Sequence, residues 1–132
     1  MNRRIFRAFA LITLALLVSI FASCASAPPP APPDASAQKI IQLAQERYDA
    51  YDLNGAQYYY QVLLERYGSD PEYMLNAKYE MAFIEYKKGN TEKAIAGFKE
   101  VIARYDAPDG QTLSQTWKVL SEKLLAKLTG GK

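Results

Sequence analysis

The sequence predicts an all-α protein of five helices, two helical hairpins followed by a capping helix, and three observations carry this. From Ser36 onward the chain is helical in pattern. It also repeats itself at an offset of 38 residues. Tyr60-Gln-Val-Leu-Leu-Glu-Arg-Tyr67 aligns with Phe98-Lys-Glu-Val-Ile-Ala-Arg-Tyr105, and Leu43, Ala44, Tyr48 and Ala56 align with Met81, Ala82, Tyr86 and Ala94. The same offset pairs Tyr79 with Trp117 and Met81 with Val119, so the match covers two units and half of a third, the periodicity of stacked helical hairpins. Glycine, proline and Asp or Asn residues fall at the expected junctions.

The elements follow in order. Residues 1–23 have the form of an export signal: Arg3, Arg4 and Arg7 open it, and the apolar run 8–22 is about the length of a secretory core and too short to span a bilayer. Residues 24–36 form a linker. Five prolines among residues 28–33 favour polyproline II, and about ten such residues at about 3.1 Å each would hold the next domain roughly 30 Å away. Residues 37–129 form the helical domain, expected to fold without help from the linker. Its helices are expected near 37–50, 54–67, 71–87, 91–105 and 112–128. Gly68 suits a helix C-terminus, Asp70 an N-cap and Pro71 the first turn of the third helix. Gly89-Asn90 turns the second hairpin; in unit one Tyr51 stands in the place of Gly89, and Leu53-Asn54-Gly55 is expected to supply the flexibility instead. Ala107-Pro108-Asp109-Gly110 breaks the chain again, and Thr112 and Gln115 are spaced as a capping box.

Composition narrows the function. The leader holds three of the 16 basic residues and none of the 14 acidic ones, which leaves residues 24–132 at −1. No basic stripe or motif points to nucleic acid. The chain has no histidine and a single cysteine. That removes the usual metal ligands and the commonest general base, so the expectation is a non-enzymatic protein without metal or cofactor. Glu46, Asp49 and Asp52 are expected to form a solvated face with Lys39 and Arg47, and Lys87-Lys88 an ordinary exposed charge.

Two resemblances add to this reading. Phe21-Ala22-Ser23-Cys24 resembles a bacterial lipoprotein lipobox, with Phe21 where Leu is usual. The resemblance implies that Cys24 becomes the first residue of the mature chain and carries acyl chains such as palmitate. Ala25 after the cysteine favours the outer membrane, with the domain facing the periplasm. Residues 81–95, with Ala82, Tyr86, Gly89, Ala94 and then Phe98, resemble a tetratricopeptide (TPR) repeat. The endings Glu65-Arg66-Tyr67 and Ala103-Arg104-Tyr105 are similar to those of envelope TPR proteins, including the TPR lipoprotein of the outer-membrane barrel-assembly machinery and the coordinator of the Tol–Pal system. These resemblances imply an envelope adaptor or scaffold that mediates protein–protein interaction at a membrane. The alternative is a periplasmic carrier for a small apolar ligand.

Within the repeat, Ala44, Ala56, Ala82 and Ala94 are the small residues that let helices approach, and Tyr60 and Phe98 fill the space beside them. Tyr58 and Tyr59 point about 100° apart on one helix, so one of them must lie near the surface. Ile41, Tyr79 and Trp117 recur at one level on the first helices of the three units, with Phe83 beside them and Tyr48 and Tyr86 at another level. The six form a candidate partner-binding groove. Two readings of this stripe stand: a capture surface, or aromatics that only complete the core. A clamp for a peptide carboxyl terminus would need Lys, Arg and Asn there, and Ile41, Gln45, Tyr79 and Phe83 stand in their place. Val119, Leu120, Leu124, Leu125 and Leu128 give the last helix more apolar face than one neighbour covers, which predicts pairing with a partner or with a second copy.

Overall fold

Residues 27–131 are described in the computed structural model, and five α-helices run through them: α1 Ala37–Asp49, α2 Leu53–Tyr67, α3 Pro71–Lys87, α4 Thr91–Ala103 and α5 Thr116–Thr129. The fold is all-α. Three-residue turns join α1 to α2 and α3 to α4, which makes two antiparallel hairpins. Each helix packs on the next, and α3 also meets α5. The helix starts follow local chemistry. Ser36 accepts from the Lys39 N–H, Asp52 from Gly55 and Asp70 from Glu72, each satisfying a donor that the first turn leaves free. Pro71 sits in the first turn of α3, where its missing N–H costs nothing.

The two hairpin turns use one conformation with different residues. Gly89 has φ +79°, and Tyr51, its counterpart one repeat earlier, has φ +59°. Glycine adopts this left-handed region freely, whereas a tyrosine there is strained.

Buried side chains fall into two clusters, one per hairpin. Ile40, Ala44, Ala56 and Leu63 are fully buried in the first, and Ala94, Phe98 and Val101 in the second. Ala77 and Ile84 of α3 belong to the first cluster, while Leu75, Tyr79 and Ala82 belong to the second, so α3 is the wall shared by both. Within the second hairpin the backbones meet closely: a Cβ added to Gly97 would lie 2.7 Å from the Ala82 Cβ.

Three expectations are corrected. The proline-rich segment does not stand off as a spacer. Ala31 and Ala35 are buried in the first cluster, the Tyr59 hydroxyl donates to the Pro29 carbonyl (2.7 Å), and the Tyr67 hydroxyl donates to that of Ala35 (2.8 Å). The physical reason is that prolines leave their carbonyls without intrachain partners, and α2 supplies donors for them. Next, α5 begins at Thr116 and not near 112, with no side-chain cap. Gly110–Thr112 form their own 3₁₀ turn, in which the Thr112 hydroxyl donates to the Asp109 carbonyl, and the Ser114 N–H goes to Glu72. Finally, Gly68 ends α2 with φ −68° and so lacks the left-handed conformation expected of that position.

The contact between Ala82 and Gly97 gives a prediction. On propensity alone, Gly97→Ala in mid-helix would gain about 1 kcal/mol. Here the new methyl meets a methyl fixed to a helix backbone, so Gly97→Val should cost about 1–3 kcal/mol and Gly97→Ala should gain nothing. Urea unfolding of both variants checks this, and a stabilised Gly97→Ala would mean that α3 and α4 are not this close.

Candidate functional site

α1, α3 and α5 present a continuous row of rings. Tyr48 of α1 lies 6.2 Å from Phe83 of α3, centroid to centroid. Phe83 stacks nearly parallel on Tyr79 (6.2 Å, 10° between planes) and leans on Tyr86 at 5.9 Å. Tyr79 then meets Trp117 of α5 at 5.3 Å. The row forms because residues three and four apart on α3 share a face, the repeat puts Trp117 at the height of Tyr79, and Tyr48 reaches Phe83 across from α1. Tyr79 is 8 % exposed and also touches Phe98 at 5.9 Å, so it is a core residue of the second cluster. Tyr48, Phe83, Tyr86 and Trp117 are only half-buried. Ile41 is half-buried against the first cluster. Burial raises the Tyr79 hydroxyl pKa above the ordinary phenol value.

Two lysines sit on this row. The Lys87 ammonium lies 5.9 Å from the Phe83 centroid, and that of Lys127 lies 5.5 Å from the Tyr86 centroid. Lys127 Nζ also donates to the Tyr86 hydroxyl at 3.0 Å. That hydrogen bond lowers the pKa of Tyr86 and raises that of Lys127. Neither lysine is within ion-pair distance of a carboxylate among the described residues. Sequence reasoning missed both seats, and the i, i+4 spacing of Phe83 and Lys87 was the available signal. Lys88 is likewise more than exposed charge, since it is hydrogen-bonded to Gln57 and near Glu85.

The remaining predicted residues fall as follows. Ala44, Ala56, Ala94 and Phe98 are fully buried, and Ala82 and Tyr60 nearly so. Tyr59 is buried, while Tyr58 is 37 % exposed and packs edge-on against it. Arg47 pairs with Asp52 at 3.5 Å. Ser121 is the buried face of α5, and Val119 and Leu120 point outward. Leu124, Leu125 and Leu128 pack on the second cluster. Cys24 and residues 1–23 lie outside the described residues.

One acidic residue stands apart. Glu80 of α3 has no hydrogen bond or ion pair to its carboxylate among the described residues, and burial raises its pKa to about 7. Its charge in turn adds to the burial that pushes the Tyr60 hydroxyl up. Two partly open troughs lie near these residues. One of about 230 Å³ is lined by Tyr48, Asp49, Tyr51, Leu53 and Lys87. A second, of about 310 Å³, lies between α2, α3 and α4 and carries Gln57, Lys78, Glu85 and Glu100 on its walls. Among the described residues no group of three metal-ligating side chains occurs, and no helix is long and apolar enough to cross a membrane.

Comparison with known proteins finds one similar chain to report. The sequence is 27% identical over 117 residues to an uncharacterized protein of Treponema pallidum (strain Nichols). The match covers 87% of this chain and 45% of that protein, so the chain spans less than half the length of its relative. No family model matches, and no solved structure matches.

Two predictions follow from the geometry. Tyr51 is 90 % exposed in a left-handed conformation, so Tyr51→Gly should raise stability by about 1 kcal/mol, read from the denaturation midpoint. For Glu80 the sign is set by a folded pKa of about 7 against 4.5 in the open chain. The folded state holds this proton more tightly, so the stabilisation is complete below about pH 4.5 and is lost as pH rises through about 7. Glu80→Gln should flatten that slope and, near pH 8, exceed the wild type by about 1–2 kcal/mol after allowance for its partial exposure. Parallel unfolding curves at pH 5 and 8 test it.

Proposed function

We propose that the protein is a non-enzymatic, TPR-like adaptor of the bacterial cell envelope, tethered to the outer membrane through acylated Cys24 and facing the periplasm. The observation that carries the reading is the aromatic row shared by α1, α3 and α5. Its central ring, Tyr79, belongs to the core, while Tyr48, Phe83, Tyr86 and Trp117 keep part of their surface open. Rings held rigidly in this way cost little entropy to engage and are the residue types that dominate interface energies. The lysines over Phe83 and Tyr86 place donors at the margin of the same surface.

The alternative of a carrier for a small apolar ligand has less support. Such sites are usually enclosed and about 300–1,000 Å³. The trough beside Tyr48 is smaller, at about 230 Å³, and the larger one, though partly apolar through Leu64, Met81 and Ala82, also carries Lys78, Glu85, Lys93 and Glu100 on its walls. The helical repeat, the left-handed turn at Gly89 and the buried Ala82, Ala94 and Phe98 support the TPR-like reading. The lipobox resemblance supports the anchor.

The test separates binding from packing. In the full chain, Tyr48→Ala with Tyr86→Ala should weaken capture of the envelope partner from native membranes by about thirtyfold or more, which corresponds to about 2 kcal/mol. The variant should lose some stability, because Tyr48 packs on the first cluster and Tyr86 holds Lys127, but it should stay folded under the capture conditions. Tyr79→Ala should behave differently and lose about 3–5 kcal/mol of stability as a core truncation. Normal capture by the folded Tyr48/Tyr86 variant would move the binding surface elsewhere.

A further inference from the structure

The contact between the proline-rich segment and α2 is organised as a binding site. Arg66 lies at its centre. Its guanidinium donates to the carbonyls of Pro32 at 2.6 Å, Ala31 at 3.2 Å and Pro33 at 3.4 Å. The hydroxyls of Tyr59 and Tyr67 bracket it, taking the carbonyls of Pro29 and Ala35. Between these polar contacts two methyl groups are inserted: Ala31 is 4 % exposed and Ala35 6 %. Pro32, Pro33 and Asp34 face outward, and the Ala35 N–H closes a turn onto the Pro32 carbonyl at 3.1 Å.

The recognition is therefore of a particular kind of chain. Every polar contact goes to a main-chain carbonyl, and the inserted side chains are no larger than methyl. An extended proline-rich run suits this, because its carbonyls have no internal partners and its restricted φ lowers the entropy lost on docking. Arginine suits it from the other side, since its fixed fork of donors can reach several carbonyls at once. Aromatic-lined surfaces are the general solution for binding such segments.

The site belongs to α2 alone. One repeat later, Arg104 and Tyr105 occupy the places of Arg66 and Tyr67, and the Tyr105 hydroxyl likewise donates to a main-chain carbonyl, that of Ser114, but Arg104 is forked onto the Asp109 carboxylate at 2.7 and 2.8 Å and reaches no carbonyl among the described residues. The counterpart of Tyr59 is Gly97, packed against Ala82. In α2, by contrast, Arg66 has no carboxylate partner within ion-pair distance among the described residues, and its donors go to the proline segment.

We propose that the Tyr59–Arg66–Tyr67 face of α2 is a receptor site for a proline-rich extended segment, filled in cis by residues 29–35. Covalent attachment gives the cis occupant an effective concentration in the millimolar range, so it excludes the same sequence offered in trans. Removing it should open the site.

Ala31→Leu with Ala35→Leu in the full chain ejects the native segment, because both positions are buried and admit no side chain larger than a methyl. A fluorescent synthetic peptide of residues 27–36 should then bind this variant saturably, at least tenfold more tightly than it binds wild type. Adding Arg66→Ala should reduce that binding at least tenfold. No saturable binding to the folded variant, or equal binding to wild type, would overturn the proposal. A second measurement leaves the native segment in place. Arg66→Ala alone should lower the backbone order parameters of Ala31, Asp34 and Ala35 from about 0.85 to below about 0.6. Unchanged values would show that Arg66 does not hold the segment.

Discussion

The structure hangs on one ring. Tyr79 lies near the middle of α3 and touches Phe83 on its own helix, Phe98 on α4 and Trp117 on α5. α3 is already the wall between the two buried clusters, so this residue is where the second hairpin closes and where the last helix attaches. Aromatic pairs of this kind contribute about 0.5–1.5 kcal/mol each beyond the area they bury. α5 needs that contribution. Its one fully buried side chain is Ser121, and its outward face carries Val119 and Leu120. Trp117 against Tyr79, with Leu124, Leu125 and Leu128 on the second cluster, supplies the large contacts that a serine cannot.

The same arrangement links packing to the proposed capture surface. A short stack must use its large side chains twice. Tyr79 is spent on the core, and its neighbours in the row are held in place by it while part of each ring stays open. The row is rigid because its centre is buried, and rigidity is what makes an aromatic surface suited to capture. Lys127 reinforces this at the edge, where its hydrogen bond to Tyr86 joins α5 to α3 a second time.

Much of the fold was legible in the sequence because the repeat carries it. The four first helices, the two hairpins and the small residues at their contacts all follow from the 38-residue offset and from Asp70, Pro71 and Gly89. The first hairpin turn was misread: Leu53-Asn54-Gly55 looked like its flexible element, yet these residues open α2 and Tyr51 itself takes the left-handed conformation. What could not be read was recognition through the main chain. Prolines at 28–33 look like a spacer, because nothing in the side-chain letters says that their carbonyls have donors waiting on another helix. Arg66 and Tyr67 were visible as a repeated helix ending, yet the same pair one repeat later serves Asp109 and Ser114. The start of α5 was misplaced for a similar reason, since a 3₁₀ turn and a hydrogen bond from the Ser114 N–H to Glu72 order a stretch that reads as a capping box. Of the candidate site, the aromatic row was legible by register, with Ile41 half-buried in the first cluster. The seats of Lys87 and Lys127 and the half-buried carboxylate of Glu80 depend on neighbours contributed by other helices.

The central claim is that the open edge of the aromatic row is the surface that meets a partner. Site-specific photo-crosslinking in native membranes tests it most directly. A benzoylphenylalanine placed at Tyr86, on the row, is compared with one at Lys99, an exposed position on α4. The account predicts a discrete crosslinked adduct from position 86 and none from position 99. An adduct from position 99 with none from position 86 would contradict it.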